Sequence, residues 1–364
     1  VYSFHYEKHE ETARAGYYSA LLTDYGIRAE SSATPHCGIL RFTFPEGEQS
    51  RIQIDLARRV GGTAERQYIE VVDKHTIAGW MKCTPATGGW GNGEGQADYT
   101  VYFYAQVDKP MENYGFWRAD IPDDWVRKRD EVVSVPYLQR VAAAPVVTGI
   151  DRIEGRHIGF YTEFGTRQDE QVILRAGISF VDMEGARKNF EAEIAGKAFD
   201  QVAREARELW NRELARIRIA GGSDRQKTIF YTALYHASLS PNLISDVDGA
   251  YCVEGRLLHS PFPQYSNFSA WDTYRAQHPL LLLTAPAQSA DMVNSLVSRH
   301  TVAGLELPVW ECLGHDNICM IGYSTVPILA DAILKGVPGI DVEGAYRAMC
   351  HAATSNDKHS QTYG

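Results

Sequence analysis

The chain has no long apolar run and no excess of positive charge, and each absence excludes a class of protein. None of its apolar runs approaches the roughly 20 residues that span a bilayer, so the sequence predicts no transmembrane helix. The net charge of −10 argues against nucleic acids and anionic membrane surfaces as partners. Neutral or cationic ligands, or a bound divalent cation, suit this charge better.

Cysteine is scarce, and its pattern excludes two kinds of structure. The six cysteines form neither a disulfide framework nor a Cys-x-x-Cys pair for zinc or redox chemistry. Cys312 and Cys319 are seven positions apart, a spacing that would place them on one face of a continuous helix. We expect both to be buried small hydrophobic side chains. Cysteine usage leaves the cellular compartment open.

Several common catalytic motifs are also missing. The sequence contains no Gly-rich phosphate loop, no nucleophile elbow and no His-Glu-x-x-His zinc motif. The glycine-rich run at 88–93 lacks the lysine and the strand-then-helix setting of a phosphate loop, so we predict a loop tip. The chain starts at Val1 with neither Met nor a secretory signal, and we expect that processing or truncation has removed the true start.

Residues 1–182 are predicted to form an antiparallel β-sandwich domain, in a chain whose 364 residues indicate two or more domains. Short alternating segments rich in β-branched and aromatic residues are separated by turn residues, as in sandwiches. The excursion at 111–155, rich in charge and proline, is predicted to be a surface insertion with little regular structure. The predicted strands are 17–22, 27–34, 39–44, 51–56, 68–72, 76–83, 99–107, 157–163 and 171–181.

The hydrophobic period becomes helical after Asp182. Residues 183–222 are predicted to form a helical linker, as one amphipathic helix or a pair, and residues 223–364 an α/α-packed domain, a bundle or a toroid. From about residue 225 onward we predict only helices and loops. Gly336 and the Pro-Gly pair at 338–339 would end the penultimate helix. The predicted helices are 227–240, 273–283, 289–302, 317–335 and 342–353.

The segment 267–280, Asn-Phe-Ser-Ala-Trp-Asp-Thr-Tyr-Arg-Ala-Gln-His-Pro-Leu, is the most informative part of the chain. Trp and Tyr provide flat surfaces for the C–H faces of a sugar, and Asp and Arg bind its hydroxyl groups. A second interpretation is the start of a helix, with Ser269 or Asp272 as N-cap and the aromatic rings in the core. Within eight positions the segment offers Trp271, Asp272, Tyr274, Arg275 and His278.

This segment resembles a hallmark of the exo-acting α-mannosidases of glycoside hydrolase family 92. A second match is Leu-Pro-Val-Trp-Glu-Cys-Leu-Gly-His-Asp-Asn-Ile-Cys-Met-Ile-Gly-Tyr at 307–323. Phe-Tyr-Thr-Ala-Leu-Tyr at 230–235 and Asp-Gly-Ala-Tyr at 248–251 are similar to the family's passage from linker to barrel. Residues 16–45 resemble its N-terminal domain, so the similarity runs along nearly the whole chain.

The resemblance implies an inverting, calcium-dependent enzyme with an N-terminal β-sandwich and a C-terminal (α/α)6 barrel, the site lying between them. Family members are much longer than this chain. Their acid and base carboxylates and an Asn-Glu region that helps to bind calcium lie beyond the point that matches Gly364. We therefore expect a piece cut through both domains, with catalytic residues unknown, no metal ligand of its own and calcium bound mostly by residues outside it.

The resemblance assigns Trp271 and Asp272 to the subsite for the terminal mannose. The Asp272 carboxylate would accept charge-assisted hydrogen bonds from two adjacent hydroxyls. Arg275, one helical turn further on, would orient Asp272 or reach the sugar itself. His278 is expected to cap a helix or to pack, because Pro279 follows it.

Gly314-His315-Asp316 matches a Gly-Asn-Glu type of run in relatives, with His and Asp in place of Asn and Glu. The carboxylate is kept but is one carbon shorter, which leaves room for a different contact with the aglycone. His315 would then tune linkage specificity, unless its role is structural. Glu311 is an alternative candidate for a catalytic acid, but the sequence places no partner carboxylate for it at a defined position. Cys319 and its neighbour Met320 are expected to line the site wall or the core.

Two functions of different classes follow. The first is an inverting exo-α-mannosidase acting on α-mannoside oligosaccharides or glycoprotein glycans, N-glycans or yeast mannan, outside the cytoplasm: secreted, periplasmic or at the cell surface. The sequence does not show which linkage is cleaved, and a mannose-1-phosphate diester stays open as an alternative substrate. The second is a non-catalytic carbohydrate-binding or scaffold fragment that keeps the platform at 271–275 but lacks the acid–base pair.

Overall fold

A computed structural model describes residues 5–59, 62–87, 97–122 and 135–356. The chain divides into two compact units, one comprising residues 1–89 and 100–210 and the other residues 90–99 and 211–364. The division after Trp210 falls inside the predicted linker. The predicted loop tip at 88–93 lies outside the described residues.

The first unit is an antiparallel β-sandwich, as the alternating segments predict. Its strands are β1 (Thr12–Arg14), β2 (Tyr17–Leu22), β3 (Ile27–Ala33), β4 (Cys37–Phe44), β5 (Gly47–Asp55), β6 (Arg58–Arg59), β7 (Gly62–Thr63), β8 (Arg66–Val71), β9 (Thr76–Cys83), β10 (Tyr99–Val107), β11 (Asn113–Arg118), β12 (Val146–Val147), β13 (Arg152–Gly155), β14 (Ile158–Thr166) and β15 (Glu170–Ser179). One sheet has the order β1-β2-β3-β4-β15-β10-β9-β8-β13 and the other the order β12-β11-β14-β5, while β6 and β7 form a short separate pair.

The core of this unit lies between the two sheets. Period-two alternation sends every second side chain inward, so each sheet contributes one apolar face. The larger sheet supplies Phe44 and Ile69, and the smaller supplies Phe116 and Phe160, all buried in one cluster. Burying each such side chain stabilises the fold by about 1.5–3 kcal/mol.

The prediction of a surface insertion at 111–155 is wrong. Strand β11 pairs along its whole length with β14, from Asn113 opposite Glu163 to Arg118 opposite Ile158. Strands β12 and β13 and helix α1 (Val135–Ala142) lie in the same stretch. The Tyr-Gly-Phe-Trp core of β11 is too short to dominate the charged and proline-containing sequence around it, which explains the error.

Two helices follow the sandwich and pack on its larger sheet. Of the two forms predicted for this stretch, the structure shows the pair: α2 (Met183–Glu193) and α3 (Phe199–Leu214). The Asp182 side chain caps α2 by accepting a hydrogen bond from Gly185 N at 2.6 Å. Phe190 and Phe199 are buried with Ile39 of β4 in one cluster, so these helices complete the apolar cover of that sheet.

The second unit is mainly helical. Its helices are α4 (Asp224–Ala237), α5 (Ala270–Thr273), α6 (Gln277–Thr284), α7 (Pro286–Thr301), α8 (Thr325–Leu334) and α9 (Val342–Thr354). Leu281, Leu296, Leu329 and Ala345, from α6 to α9, share one buried core. Gly336, at φ 65°, follows the end of α8 as predicted. Across the described stretches, no helix has both the length and the apolar character required of a membrane span.

The prediction of only helices and loops after residue 225 is wrong. Three small antiparallel pairs interrupt the helices: β16 (Asn242–Leu243) with β19 (Tyr265–Ser266), β17 (Ala250–Val253) with β18 (Arg256–His259), and β20 (Glu311–Cys312) with β21 (His315–Asp316). The helix predicted at 273–283 is broken into α5 and α6, and the one predicted at 317–335 begins only at Thr325.

No disulfide bond joins any of the six cysteines, all of which the structure describes, and the burial of two of them differs from the prediction. Cys312 lies in β20 and Cys319 in the loop after β21, so they do not share a helix. Both are partly exposed rather than buried, whereas Cys37 and Cys83 are buried. The turn at Leu313-Gly314 separates Cys312 from the following residues, and no helical spacing applies there.

Candidate functional site

Residues 269–275, here called the platform, present aromatic and charged groups at the start of the helical core. The Arg275 guanidinium lies 5.2 Å from the ring centroid of Trp271 and 5.0 Å from that of Tyr274, and its Nε donates to the Tyr274 hydroxyl at 2.9 Å. Arg275 and Asp272 are exposed, and Trp271 is half-buried. Arg275 therefore contacts the aromatic rings, and no ion pair joins it to Asp272 in this described segment.

Ser269 links the platform to the second predicted motif. Its hydroxyl donates to the Asp272 carboxylate and accepts a hydrogen bond from Trp310 Nε1 at 2.6 Å. Ser269 is the N-cap residue of α5, but its side chain makes no capping hydrogen bond. In the structure, therefore, neither Ser269 nor Asp272 caps the helix with its side chain.

The second motif folds as a tight hairpin, residues 311–316, here called the site hairpin. Leu313 and Gly314 form its two-residue turn with φ values of 53° and 79°, and positive φ at both positions is typical of a type I′ turn. A Cβ on Gly314 would lie 2.4 Å from the backbone oxygen of Cys252. The predicted site residue Gly314 is therefore needed for close packing of the backbone.

The site hairpin is bound directly to the residues that precede the platform. Because these hydrogen bonds come from backbone N–H groups, they fix the position of the hairpin regardless of most side chains in it. Asn267, the acceptor for the turn, is itself at φ 64°. The bonds are Leu313 N to Asn267 Oδ1 at 3.1 Å, Gly314 N to Ser266 Oγ at 2.9 Å and Glu311 N to Phe268 O at 3.1 Å.

The carboxylate of Asp316 is used within the fold. It accepts hydrogen bonds from the backbone N–H groups of Val309 at 3.1 Å, Trp310 at 3.1 Å and Ile318 at 3.2 Å, and only 7% of the residue is exposed. A buried carboxylate with several backbone donors organises the loop around it. Its predicted contact with the sugar stays a prediction.

His315 is held by Glu254, which the sequence alone does not identify. Its Nδ1 lies 2.7 Å from Glu254 Oε2. Burial lowers the pKa of His315, but the hydrogen bond and charge of Glu254, with Asp98 and Asp316 nearby, outweigh it and raise the pKa above its usual range. Burial alone would raise the pKa of Glu254, but the hydrogen bonds from His315 and from Asp316 N outweigh burial and lower this pKa below its usual range. The two side chains form a charged pair.

Arg299 of α7 lies beneath the site hairpin and joins its two acidic neighbours. It is 4% exposed, and it donates to Glu254 Oε1 and to Gly314 O, each at 3.3 Å. Its Nη1 is also 3.5 Å from the carboxylate of Glu311. Burial raises the pKa of Glu311, while the Arg299 charge opposes that shift. Glu311 is 2% exposed, a position that does not suit an acid that must reach a leaving group.

The remaining predicted residues lie around these groups. His278 packs in the interior, which is one of its two expected roles. Its ring stacks on that of Phe268, with 6.1 Å between the ring centroids and 18° between the ring planes, and burial lowers its pKa to about 4. Cys319 and Met320 lie on the loop after β21 and are partly exposed. Their role in a site wall stays a prediction.

Left-handed backbone is concentrated here. Among the described residues other than glycine, positive φ occurs at six positions, four of them in or beside the site: Glu254, Asn267, Leu313 and Ile318. Such conformations cost about 1–3 kcal/mol each and persist where the surrounding contacts impose them. Their concentration makes this region a candidate for a functional site.

The Glu-Gly dipeptide at 254–255 is a sequence signal that could have located Glu254. It lies between two short alternating segments, and glycine in such a two-residue turn predicts a hairpin. The structure shows that hairpin, β17–β18. No local signal marks Arg299, because its partners are distant in the sequence.

The described residues do not fit the calcium ion that the resemblance implies. Calcium requires six to eight oxygen ligands, and within the described ranges no three His, Cys, Asp or Glu side chains are grouped to hold a metal ion. The carboxylates of Asp316 and Glu254 already accept backbone N–H groups, and that of Glu311 is buried beside Arg299.

Comparison with known proteins identifies relatives along the whole chain. Residues 1–179 match the model of the glycosyl hydrolase family 92 N-terminal domain, and residues 185–364 match that of the family's catalytic domain. The chain is similar to a family 92 α-mannosidase from Bacteroides thetaiotaomicron, with a TM-score of 0.83 and 30% identity over 98% of this chain and 45% of that one. That mannosidase has also been solved in complex with mannoimidazole.

Two further relatives agree with this match. An inverting family 92 mannosidase from the same bacterium has a TM-score of 0.80 and 25% identity, over 98% of this chain and 43% of its own. An uncharacterized secreted glycosidase from Arthroderma benhamiae is 24% identical over 363 residues, which are 95% of this chain and 39% of that protein. The chain thus spans less than half the length of these relatives.

Proposed function

The chain belongs to glycosyl hydrolase family 92, and we propose that it forms part of an exo-acting α-mannosidase that removes terminal mannose from N-glycans or mannan. Both similar bacterial structures are mannosidases, and one of them was solved with mannoimidazole. Since the chain spans less than half of their length, the activity is proposed for the longer protein. Within it, these residues bind and orient the sugar.

One observation carries the binding role: a chain of hydrogen bonds joins the two family-like motifs. Asp272 accepts from Ser269, Ser269 accepts from Trp310, and Trp310 N donates to Asp316. The exposed carboxylate of Asp272 is thereby fixed beside the half-buried ring of Trp271. A sugar would lay its C–H face on the indole and donate its hydroxyl groups to Asp272.

The proposal extends to an inverting mechanism, in which one carboxylic acid protonates the leaving oxygen and a second carboxylate activates water. The two groups lie about 6.5–9.5 Å apart in such enzymes. The inverting relative supports this step. Among the described carboxylates at the site, those of Glu254, Glu311 and Asp316 are engaged within the fold, so the proposal assigns the acid and base to other residues of the longer enzyme.

Calcium dependence and location complete the proposal. Calcium would be a cofactor of the longer enzyme, with ligands other than the described residues. The secreted glycosidase among the relatives supports a location outside the cytoplasm: secreted, periplasmic or at the cell surface. The engagement of Glu254, Glu311 and Asp316 within the fold favours a second candidate, a non-catalytic mannose-binding part that works without an acid–base pair of its own.

Calorimetric titration of this chain with methyl α-D-mannoside tests the binding role. We expect D272N to weaken binding at least tenfold, because a hydrogen bond to a charged group contributes about 1.5–3 kcal/mol. The matched control is D331N, since Asp331 lies on α8 and pairs with Lys335. Equal affinities in D272N and D331N, or no mannoside binding at all, would refute the site.

A hydrolysis assay of this chain and of the longer protein separates the two candidates: the first expects turnover by the longer protein, and the second expects turnover by neither. With 4-nitrophenyl α-D-mannoside as substrate, this chain should bind without turnover if the acid–base pair is supplied by other residues. Turnover by the isolated chain would show that both catalytic carboxylates are within it and would overturn their assignment elsewhere.

A further inference from the structure

Two hairpins interlock at the site through one carboxylate. Glu254 occupies the turn between β17 and β18, with φ 47°. Its backbone N donates to Gly314 O at 3.0 Å, and its Oε1 accepts from Asp316 N at 2.8 Å. Its Oε2 lies 2.7 Å from Nδ1 of His315. A single residue thus fixes the turn, the backbone and one side chain of the site hairpin.

The chemistry of this contact decides where the imidazole proton lies. An ionised carboxylate only accepts hydrogen bonds, so Nδ1 of His315 must carry the proton that it donates to Glu254. The other ring nitrogen, Nε2, has no partner among the described residues and is shut off from solvent. The side chain as a whole is 15% exposed, so this nitrogen lies close beneath the surface.

We propose that Glu254 is a positioning residue, which keeps the proton on Nδ1 of His315 and thereby leaves Nε2 to contact a hydroxyl group of the bound mannoside when a side-chain movement uncovers that nitrogen. The identity of the ligand rests on the proposed function; the position of the proton does not. A buried nitrogen without a hydrogen-bond partner destabilises the fold, and a ligand hydroxyl would supply the missing partner.

A hydroxyl group suits this nitrogen in either protonation state. The acidic groups around the imidazole are Glu254, Asp98 and Asp316, with Arg299 behind Glu254. They favour the imidazolium, whose Nε2–H donates to the hydroxyl oxygen. In the neutral ring Glu254 retains the proton on Nδ1, and Nε2 then accepts from the hydroxyl hydrogen. An anionic ligand would pair only with the charged form.

Glu254→Gln should move the proton. Asp316 N and Arg299 both donate to Oε1, so the carbonyl oxygen of glutamine will stay with them and its NH2 will face His315. Nδ1 must then accept, and the neutral ring carries its proton on Nε2. A residue with only a structural role would not change the tautomer.

Nitrogen-15 NMR of histidine-labelled protein measures this directly, with His315→Asn identifying the signal. We expect the Nδ1–H tautomer in the wild type at high pH and the Nε2–H tautomer, with a lower pKa, in E254Q. The matched control is E306Q, which removes another Glu–His pair, Glu306 with His351, in the same unit. A wild-type ring protonated on Nε2 would overturn the proposal even if E254Q failed to fold.

Methyl α-D-mannoside provides the second measurement. It should shift the Nε2 resonance of His315, and E254Q should weaken its binding roughly tenfold while E306Q leaves it unchanged. Mannoside binding without a shift at Nε2 would exclude the contact with the ligand. If no mannoside binds the wild type, the proposed function fails, and the tautomer measurement still decides whether Glu254 positions His315.

Discussion

The platform at 269–275 and the site hairpin at 311–316 are joined by hydrogen bonds, yet their polar groups are used very differently. In the platform, Asp272 and Arg275 are exposed, and Asp272 accepts only from a neighbouring hydroxyl. In the hairpin, Asp316 and Glu311 are buried and engaged by backbone N–H groups or by Arg299. Similar residue types are thus left at the surface in one segment and used for folding in the other.

This difference has a thermodynamic basis. A buried carboxylate stabilises a fold only while donors surround it, and removing one partner leaves an uncompensated charge. An exposed carboxylate remains hydrated, so its replacement changes stability little. Substitutions in the hairpin should therefore lower the free energy of unfolding first, and those in the platform should lower affinity for the sugar first.

The largest effect is expected for R299M. Methionine keeps the apolar stem but leaves Glu311 buried without its cation and removes one of the two cations beside Glu254. We expect a loss of about 3–5 kcal/mol in the free energy of unfolding, measured by urea denaturation. The control is R347M, which removes an exposed pair with Glu343 and should cost under about 1 kcal/mol. Equal losses in the two variants would contradict the role of Arg299.

D316N should follow, with a loss of about 3 kcal/mol. Asparagine keeps the shape but turns one acceptor oxygen into an NH2 group that faces backbone N–H donors, and each unsatisfied buried group costs about 1–3 kcal/mol. D272N in the platform is the matched substitution and should change stability by less than about 0.5 kcal/mol. If the two variants melt alike in urea, the contrast between the segments is wrong.

Much of the fold could be predicted because its signals are local. The sequence predicts strands β9 and β10 at their observed limits, because both are short runs rich in β-branched or aromatic residues. The start of α8 differs from the prediction, because residues 317–324 are apolar enough to resemble a helix but form a loop. Their backbone is directed by Asp316, which accepts from Ile318 N.

The site divides in the same way. Both of its segments could be found, because each is a compact run of chemically distinctive residues. Arg299 could not, because its contact with Glu254 spans 45 positions. The Glu-Gly signal at 254–255 marks a turn but not the contact of Glu254 with Asp316, 62 positions away. The sequence therefore marks the two segments more readily than the residues that hold them in place.

His278, which follows the platform, should make the protein less stable in acid. Its pKa is about 4 in the folded protein, below the usual value near 6.5, because burial disfavours the charged ring. The unfolded chain therefore binds the proton first, and stability falls as the pH drops from about 6.5 towards 4. In H278F that loss should be smaller by about 2 kcal/mol at pH 5, measured by urea denaturation at several pH values.

His315 in the site hairpin should show the opposite dependence. Its pKa is raised in the folded protein, so its stabilising contribution is complete below the unfolded pKa and is lost as the pH rises through the folded one. The difference in stability between wild type and H315N should therefore shrink as the pH rises above 7. A difference that grows with pH would mean that Glu254 does not hold the charged ring.

A small effect on stability is also expected for R275M in the platform. The guanidinium lies over the rings of Trp271 and Tyr274 on an exposed surface, where cation–π contacts contribute about 0.5–1 kcal/mol. Unfolding in urea should shift by no more than this amount. Affinity for methyl α-D-mannoside should nevertheless fall roughly threefold, because the indole loses the group that orders it beside Asp272. A loss of stability as large as that of D316N, with affinity unchanged, would show that the platform is a folding element like the hairpin and not a surface for a ligand.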